Sequence, residues 1–365
     1  MNVLVYNLAA EYAGAMTILE NFYREVLDYP DKSIHWYFLV STDKLQDSEN
    51  VTIIREPWIK KSWLHRWYFD TFCVQKVVKE KKIDLIYSMQ NEPVKRAKVE
   101  QVVYFHQSLQ FSPVKFSLFD KAQRMYAIRQ KFICRIYKRH LKKADRIIVQ
   151  TKWFKEASAK WIPFDENKIS VVNPKVSIDE RLLQKPYRLQ EPIFFYPAGD
   201  GVHKNHKIIL DACEILKNEG IANGYKVVFT MDGVSSFSAG VAKEAKEKEL
   251  PIEFTGIISK DEVFDYYSKS VVLFPSYLET FGLPPLEARK MKAVVLASDM
   301  PFCRESLEGY ENAYFYGIHD AEKLASLMKQ VIQGELPYYE PNEQEKETKK
   351  KTVIECIFEG SKTEK

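Results

Sequence analysis

The sequence lacks the features that mark membrane-spanning and secreted chains. No window approaches 18 uninterrupted apolar residues, so no transmembrane helix is predicted. The opening segment, MNVLVYNLAAEYAG, has no basic stretch before its apolar residues, and it predicts a first strand rather than a signal peptide. These absences lead us to expect a cytoplasmic protein.

Cysteine and excess charge are also scarce. The 365 residues include five cysteines, and no two are close enough in sequence to form a metal knuckle or a redox pair. Such spacing is typical of a reduced cytoplasmic protein. The net charge of +4 is too small to indicate nucleic-acid binding, so no nucleic-acid partner is expected.

What the sequence does contain is a regular alternation of short apolar runs and longer amphipathic segments. The predicted strands are Val3–Tyr6, Trp36–Val40, Thr52–Ile54, Leu85–Ser88, Val102–Phe105, Arg146–Val149, Ile169–Val172, Ile193–Tyr196, Lys226–Thr230, Ile252–Phe254, Val271–Phe274, Val294–Ala297 and Ala313–Phe315. Strands that alternate with helices predict an α/β protein with parallel sheets covered on both faces. Two such sets predict two Rossmann-like domains.

Domain boundaries follow from composition. We predict an N-terminal domain over 1–173, a proline-containing linker over 174–191 and a C-terminal domain over 192–340. Residues 341–365 begin with a Glu-, Lys- and Pro-rich connector and end in a short amphipathic helix, which we expect to return to the N-terminal domain.

One loop in the second half carries a pattern with chemical meaning. Pro284 and Pro285 follow an apolar strand and mark the start of a helix, whose free N–H groups attract anions such as a diphosphate. Gly282 lets a ligand approach the backbone closely. Glu279 and Glu287 flank this anion site and could hold the hydroxyl groups on either side of a phosphate. From the residues alone, an ordinary strand–helix turn with solvated glutamates is an equal alternative.

The segment ETFGLPPLEA, residues 279–288, resembles the signature of the family 4 glycosyltransferases of the GT-B fold. The resemblance implies two Rossmann-like domains that face a deep cleft. It also implies transfer of a sugar from a nucleotide sugar, a UDP- or GDP-sugar, with retention of anomeric configuration and with no metal or other cofactor. The chain contains no Asp-x-Asp pair, which a metal-dependent glycosyltransferase would need.

Roles for the loop residues are carried over by position. The resemblance implies that Glu287 binds the ribose hydroxyls and that Glu279 contacts the donor sugar. The backbone of Phe281, Gly282 and Leu283 would face the sugar and the diphosphate. In this family Glu279 is a sugar contact rather than an established nucleophile, so we expect front-face substitution, in which the leaving phosphate helps to deprotonate the acceptor.

Flanking segments resemble the family in order and spacing. YPAGDGVHKNHKIIL, residues 196–210, matches the segment with a phosphate-binding lysine, which would be Lys204. Asp232 and Gly233 match the loop below the donor, and Gly256 matches the glycine beside the nucleotide base. The alternative for Lys204 is a solvated lysine at a helix start.

One position departs from the family pattern. Many relatives have an arginine six residues before the phosphate-binding lysine, where this chain has Ala198. One cation of the diphosphate site is therefore missing or supplied from elsewhere, and His203 and His206 are the nearby candidates.

Two residues of the first half complete the expected site. Gly14 follows the first strand and matches a glycine-containing loop whose amides meet donor phosphate or acceptor; the alternative is a simple turn glycine. His106 ends a strand, and in relatives such a residue faces the donor sugar; the alternative is a structural histidine. We assign the catalytic role to Glu279, His106 and Lys204 together.

Two helical segments, 60–82 and 121–143, are basic and aromatic. Residues 121–143 contain nine Lys or Arg and no Asp or Glu. One alternative is that these helices pack an apolar stripe on the sheet and solvate their cations. The other is peripheral contact with an anionic membrane at the cytoplasmic leaflet, where relatives that build capsule or O-antigen act on lipid-linked glycan acceptors.

Three functions remain open on the sequence. The first is a hexosyltransferase for a surface polysaccharide. The second is a nucleotide-sugar 2-epimerase, which shares the architecture but lacks the glutamate signature. The third is a non-catalytic partner subunit, for which Ala198 is the sole support.

Overall fold

The computed structural model describes residues 1–10, 13–174, 192–340 and 351–360, and they form two compact α/β units. Unit 1 contains the described residues of 1–107, 129–174 and 351–360, and unit 2 contains 108–128 and 192–340. The expected first domain, 1–173, differs from unit 1 at residues 108–128, which group with unit 2. The expected linker at 174–191 lies outside the described residues beyond Pro174, and so does the connector at 341–350.

Each unit is built on one sheet in which every strand pair is parallel. The strands of unit 1 are β1 Asn2–Asn7, β2 His35–Val40, β3 Val51–Arg55, β4 Leu85–Ser88, β5 Glu100–Tyr104, β6 Arg146–Val149 and β7 Ile169–Val171. Those of unit 2 are β8 Ile193–Tyr196, β9 Lys226–Phe229, β10 Ile252–Phe254, β11 Val271–Phe274, β12 Val295–Ser298 and β13 Ala313–Tyr316. All thirteen predicted strands are confirmed, with ends that differ by at most two residues. The predicted α/β class, with two Rossmann-like parallel sheets, is confirmed.

Helices connect most of the strands. In unit 1 they are α1 Ala13–Asp28, α2 Trp63–Tyr68, α3 Val74–Glu80, α5 Cys134–Leu141, α6 Lys152–Trp161 and α13 Val353–Phe358. In unit 2 they are α4 Arg124–Ile128, α7 His206–Asn218, α8 Ser236–Glu247, α9 Lys260–Lys269, α10 Leu283–Lys290, α11 Pro301–Ser306 and α12 Ala321–Ile332. Within the described residues, no helix has the length and apolarity to cross a membrane.

Both basic aromatic segments contain a wide turn. A π-helical stretch, Phe69–Cys73, separates α2 from α3, and a second, Arg129–Ile133, separates α4 from α5. A π turn inserts one extra residue, so it rotates the side chains that follow it around the helix axis. Neither turn was predicted from the apolar spacing.

The core of unit 1 lies on both faces of its sheet because successive strand residues point to opposite sides. Val3 and Val5 of β1 pack with Phe22 of α1 in one buried cluster, whereas Leu4 packs with Val74 of α3 in another. The first cluster includes Ile354, Cys356 and Ile357 of α13. The short last helix is therefore part of the core of unit 1, and each of its buried isoleucines stabilises that core by about 1.5–3 kcal/mol.

Candidate functional site

The strand order of unit 2 creates a crevice at one edge of its sheet. The order is β10-β9-β8-β11-β12-β13, so the first strand of the unit, β8, lies beside the fourth, β11. The chain leaves these two neighbours toward opposite sides of the sheet, and ligands of such folds bind where their carboxyl ends diverge. The loops after β8 and β11 carry Lys204 and Glu279.

Lys204 and Glu279 meet across this crevice. Lys204 Nζ lies 2.5 Å from Glu279 Oε1. Ser276 Oγ donates to the same oxygen at 3.1 Å. Both members of the ion pair keep 23% of their side-chain area exposed. An ion pair that is partly in water contributes little to stability, so its components remain available to a ligand.

Backbone bonds fix the position of the β8 loop. The carbonyl of His203 accepts from the N–H of Tyr277 at 3.1 Å, and it shares the single proton of Ser276 Oγ, 3.2 Å away, with Glu279. Tyr196, the last residue of β8, donates its hydroxyl to the carbonyl of Lys204 at 2.8 Å. The loops after β8 and β11 are thus joined to each other, and Lys204 is held at the crevice by its own main chain.

Helix α10 begins directly after the Glu279 loop, as predicted. Gly282 is its N-cap with φ +87°, a left-handed conformation that favours glycine. Pro284 and Pro285 have no N–H, so two of the first-turn donors are absent. The N–H groups of Phe281, Gly282 and Leu283 have no acceptor among the described residues. The open N–H groups at this position therefore belong to the loop that leads into α10 rather than to the helix itself.

Glu287, in the second turn of this helix segment, is largely buried. Its Oε2 accepts from the hydroxyl of Tyr267 in α9 at 3.1 Å. Desolvation raises the pKa of Glu287, and the hydrogen bond from Tyr267 partly opposes that rise. A recessed carboxylate with one oxygen engaged suits the recognition of a ligand hydroxyl.

The neighbouring loops after β9 and β10 contain the predicted small residues. Gly233 and Gly256 have φ +70° and +73°. Asp232 is exposed, and its Oδ1 accepts from the N–H of Val234 at 2.9 Å and from Ser238 Oγ at 2.9 Å. The N–H of Val234 is the largest cause of the lowered pKa of Asp232. In this structure Asp232 therefore stabilises its own turn.

The histidines proposed as replacement cations are uncharged in this structure. His206 is buried between aromatic rings, 4.8 Å from Tyr196 and 5.1 Å from Phe229, and desolvation lowers its pKa to about 3. Desolvation and the charge of Lys204 lower the pKa of His203 to about 4. The expectation that either one supplies a positive charge is therefore corrected. Among the described residues, no group of three or more His, Cys, Asp and Glu side chains has a geometry that could hold a metal ion.

His106 lies at the corresponding edge of unit 1, two residues beyond β5. Its N–H donates to Asn91 Oδ1 at 2.7 Å, and its ring Nε2 lies 3.3 Å from Asn91 Nδ2. Burial lowers the pKa of His106 to about 4, so the ring is neutral and Nε2 is the acceptor. Gly14 is the second residue of α1, so it lies at a helix start rather than in the loop before it.

Comparisons with known proteins decide the family. Residues 2–180 match the family model described as Glycosyltransferase Family 4, and residues 179–352 match the one described as Glycosyl transferases group 1. The chain belongs to the family 4 glycosyltransferases. The two matches together extend over both α/β units.

Individual relatives of this glycosyltransferase are distant. The O-antigen chain mannosyltransferase RfbU of Salmonella typhimurium is 26% identical over 212 residues, which cover 55% of this chain and 56% of that protein. The match thus spans little more than half of the curated relative.

Solved structures share the fold over nearly the whole chain. The lipopolysaccharide outer core galactosyltransferase WaaB aligns with a TM-score of 0.66 at 18% identity, covering 93% of this chain and 92% of that one. HepE of Anabaena in complex with UDP-glucose aligns with a TM-score of 0.62 at 14% identity, covering 92% and 90%.

In this glycosyltransferase the structure brings together only part of the predicted set. Lys204, Glu279 and the amides of residues 281–283 lie on loops that converge at the crevice, and Glu287 lies on the helix that follows. Gly14 and His106 belong to unit 1. Sequence reasoning missed Ser276 and Tyr267, because a hydrogen bond between two loops or two helices has no spacing rule that would reveal it.

Proposed function

We propose that this glycosyltransferase moves a hexose from a UDP- or GDP-sugar to a glycan acceptor, with retention of configuration and without a bound metal. One observation carries the proposal: a lysine–glutamate pair at the switch point of a Rossmann-like sheet, beside backbone amides that have no acceptor among the described residues. A cation, open N–H groups and a carboxylate are the groups that a sugar diphosphate requires.

The donor would occupy the crevice in a defined order. Lys204 Nζ and the amides of Phe281, Gly282 and Leu283 bind the diphosphate oxygens, and Glu279 then accepts from hydroxyls of the sugar. Glu287 accepts from the ribose hydroxyls with the oxygen that Tyr267 leaves open. Entry of the diphosphate replaces the contact between Lys204 and Glu279, which frees both side chains for the ligand.

The chemical step follows from this charge distribution. Negative charge grows on the leaving diphosphate as the bond to the sugar breaks. Lys204 and the loop amides therefore stabilise the transition state more strongly than the ground state. In this proposal Glu279 contacts the sugar and is not a nucleophile, and the hydrogen bond from Ser276 orients its carboxylate for that contact. The leaving phosphate then takes the proton of the attacking hydroxyl on the same face, which gives retention.

We further propose that the acceptor is a lipid-linked glycan of a surface polysaccharide, at the cytoplasmic face of the membrane. Two similar proteins, an O-antigen chain mannosyltransferase and a lipopolysaccharide outer core galactosyltransferase, support a polysaccharide acceptor.

An exposed aromatic face supports the contact with an anionic membrane. Leu64, Trp67, Tyr68 and Phe72 are 64, 45, 52 and 48% exposed, and they lie at positions i, i+3, i+4 and i+8, which share one side of a helix. Phe132 and Ile136, in the second basic segment, are 54 and 44% exposed. Apolar side chains at helical spacing, flanked by Lys and Arg, are typical of a helix that lies in a membrane interface.

The membrane contact is tested with vesicles that contain anionic lipid. The double substitution Trp67→Ser, Phe72→Ser removes two exposed aromatic rings, so we expect at least about a tenfold loss of partitioning. The matched control is Ile257→Ser, since Ile257 is 96% exposed but lies in unit 2 outside both segments. Equal binding of all three proteins, or no binding at low salt, would exclude this contact.

The donor is tested by a thermal-shift panel of nucleotide sugars followed by a transfer assay. A ligand at 100 times its dissociation constant adds about 2.7 kcal/mol of stability, so the base and sugar that stabilise most identify the donor. Conversion of the donor in the absence of acceptor would instead reveal an epimerase. Absence of stabilisation by any nucleotide sugar would overturn the proposed function.

A further inference from the structure

Residues 108–128 come from the first half of the chain but belong to unit 2. Phe116 is buried there, and its ring stacks on that of Tyr126 with centroids 5.0 Å apart. The Phe116 ring also lies 6.4 Å from that of Tyr277, which follows β11. These contacts bring Tyr126 to the loop after β8, where Lys204 lies.

Tyr126 contacts one edge of the His203 ring. The hydroxyl of Tyr126 lies 3.1 Å from His203 Nδ1. Gly201 leaves room for this edge, since a Cβ at that position would lie 2.9 Å from His203 Cε1 and 3.1 Å from Nδ1. The other ring nitrogen, Nε2, has no partner among the described residues and is not among the enclosed, unsatisfied atoms. The ring is thus fixed at Nδ1 and open at Nε2.

This arrangement determines which nitrogen carries the proton. Because the pKa of His203 is lowered to about 4, the ring is neutral at physiological pH and has a single N–H. A phenolic O–H is a stronger acid than a neutral imidazole N–H, so Tyr126 is the donor and Nδ1 the acceptor. The hydrogen bond at one nitrogen sets the tautomer, and the proton therefore lies on Nε2.

We propose that Tyr126 is a positioning residue that holds neutral His203 in the Nε2–H tautomer, so that Nε2–H donates to the diphosphate of the bound nucleotide beside Lys204. This inference rests on the proposed function. It adds an N–H donor without a second positive charge at a place where Ala198 supplies no cation. The carbonyl of His203 accepts from the N–H of Tyr277, which fixes the main chain of His203 in the loop that carries Lys204.

Binding of UDP and GDP by calorimetry tests the role of the ring. His203→Ala removes a hydrogen bond to a charged group, so we expect the better-bound nucleoside diphosphate to lose about 10- to 100-fold in affinity. His203→Gln keeps a neutral N–H donor and should recover part of that loss. Binding of the corresponding nucleoside, which has no phosphate, should not change. Equal diphosphate affinity in wild type and His203→Ala would overturn the inference.

A double-mutant cycle tests whether Tyr126 acts through His203. Tyr126→Phe should weaken diphosphate binding about three- to tenfold, and it should add nothing when His203 is already alanine. Tyr310→Phe is the matched control because Tyr310 donates its hydroxyl to the carbonyl of Ala293 at 2.8 Å, away from the β8 loop. Additive losses from Tyr126 and His203 would show a merely structural role for Tyr126.

The tautomer itself is read from the nitrogen-15 shifts of the histidine rings. His203 is assigned by the signals that disappear in His203→Gln. We expect the Nε2–H pattern in the wild type and a mixture of tautomers in Tyr126→Phe, with or without nucleotide. An Nδ1–H pattern or a charged ring in the wild type would overturn the inference. Because this measurement needs no ligand, it separates failure of the inference from failure of the proposed function, in which no nucleotide would bind to the wild type.

Discussion

The carboxyl edges of the two sheets have the same topology and different chemistry. In each unit the first strand lies between the second and the fourth, so each sheet has one switch point. In unit 2, Lys204 contacts Glu279 through a single nitrogen and a single oxygen, and open amides lie nearby. In unit 1, Arg66 binds both oxygens of Asp70 and donates to Gln90, which follows β4.

The difference between these edges lies in how firmly the charge is held. A lysine ammonium is a point charge on a flexible stem and can exchange one anion for another, whereas Arg66 is held at two points, by Asp70 at Nε and by Gln90 at a second nitrogen. His106 and Asn91 add neutral groups that bond to each other. The same topology therefore carries an exchangeable ion pair in unit 2 and, in unit 1, a fixed ion pair beside two neutral groups.

The largest expected effect concerns Lys204 and Glu279 at the carboxyl edge of the unit 2 sheet. Glu279→Ala and Lys204→Ala should each lower turnover about 10²- to 10³-fold, because each removes a group that stabilises the reacting sugar or its leaving group. Steady-state kinetics with the identified donor measures the effect, and circular dichroism verifies folding. Lys207→Ala is the matched control, since Lys207 pairs with Asp211 and Glu244 on α7 and α8. Near-normal activity of both site variants would remove the distinction between the edges.

The carboxyl edge of the unit 1 sheet is tested with His106→Ala. We expect turnover to fall up to about tenfold, the loss of one hydrogen bond from a neutral ring, while the affinity for nucleoside diphosphate stays within about twofold. Because the pKa of His106 is about 4, the wild-type pH–rate profile should show no step from this ring above pH 5. A large loss of diphosphate affinity would place His106 with the anion-binding groups and contradict the comparison.

Glu287→Gln tests the unit 2 site through the pH dependence of protein stability. The folded pKa of Glu287 is raised above its ordinary value of 4.5, so the folded state binds more protons than the unfolded state just above that pH, and stability is lost as pH rises. The substitution should therefore raise Tm at pH 7 but not at pH 4, and it should weaken donor binding about tenfold. Chemical or thermal unfolding at both pH values measures the change in stability. A Tm lowered at pH 7 would mean that the carboxylate is stabilised by its surroundings rather than desolvated.

The smallest expected effect concerns the backbone conformation of the loop before α10 rather than its side chains. Gly282→Ala forces a side chain into the left-handed region, so we expect a loss of about 1–2 kcal/mol of unfolding free energy. Gly240→Ala is the counterpart, since Gly240 lies within α8 with open space around it and should gain about 0.4–1 kcal/mol. Denaturant unfolding of the two variants gives the comparison. Equal stability of both would show that the loop before α10 is not conformationally restricted.

The strands were predictable because parallel strands are buried on both faces and appear in the sequence as uninterrupted apolar runs. The start of α10 was predictable for a local reason as well, since Pro284 and Pro285 favour the first turn of a helix. Local pattern and local steric restriction therefore account for the elements and for the loop that carries Glu279.

Other features depend on contacts between distant parts of the chain. Residues 108–128 join unit 2 through rings such as Phe116 and Tyr126, and their spacing gives no sign of the partner. The neutrality of His203 and His206 depends on desolvation in the folded state, so a histidine beside a lysine looked like a second cation when only the sequence was considered. The hydrogen bond between Glu287 and Tyr267 also depends on a contact that forms only when the chain folds.

The place of α13 in unit 1 has a consequence for the order of folding during synthesis. Glu25 accepts from the N–H of Ile354, 329 residues later, and Arg146 donates to the carbonyl of Cys356. Every described residue of unit 2 leaves the ribosome before these partners do. Unit 2 can therefore fold while the apolar core residues of unit 1 that pack against α13 are still uncovered, and a nascent chain stalled before residue 353 would expose those residues to chaperones.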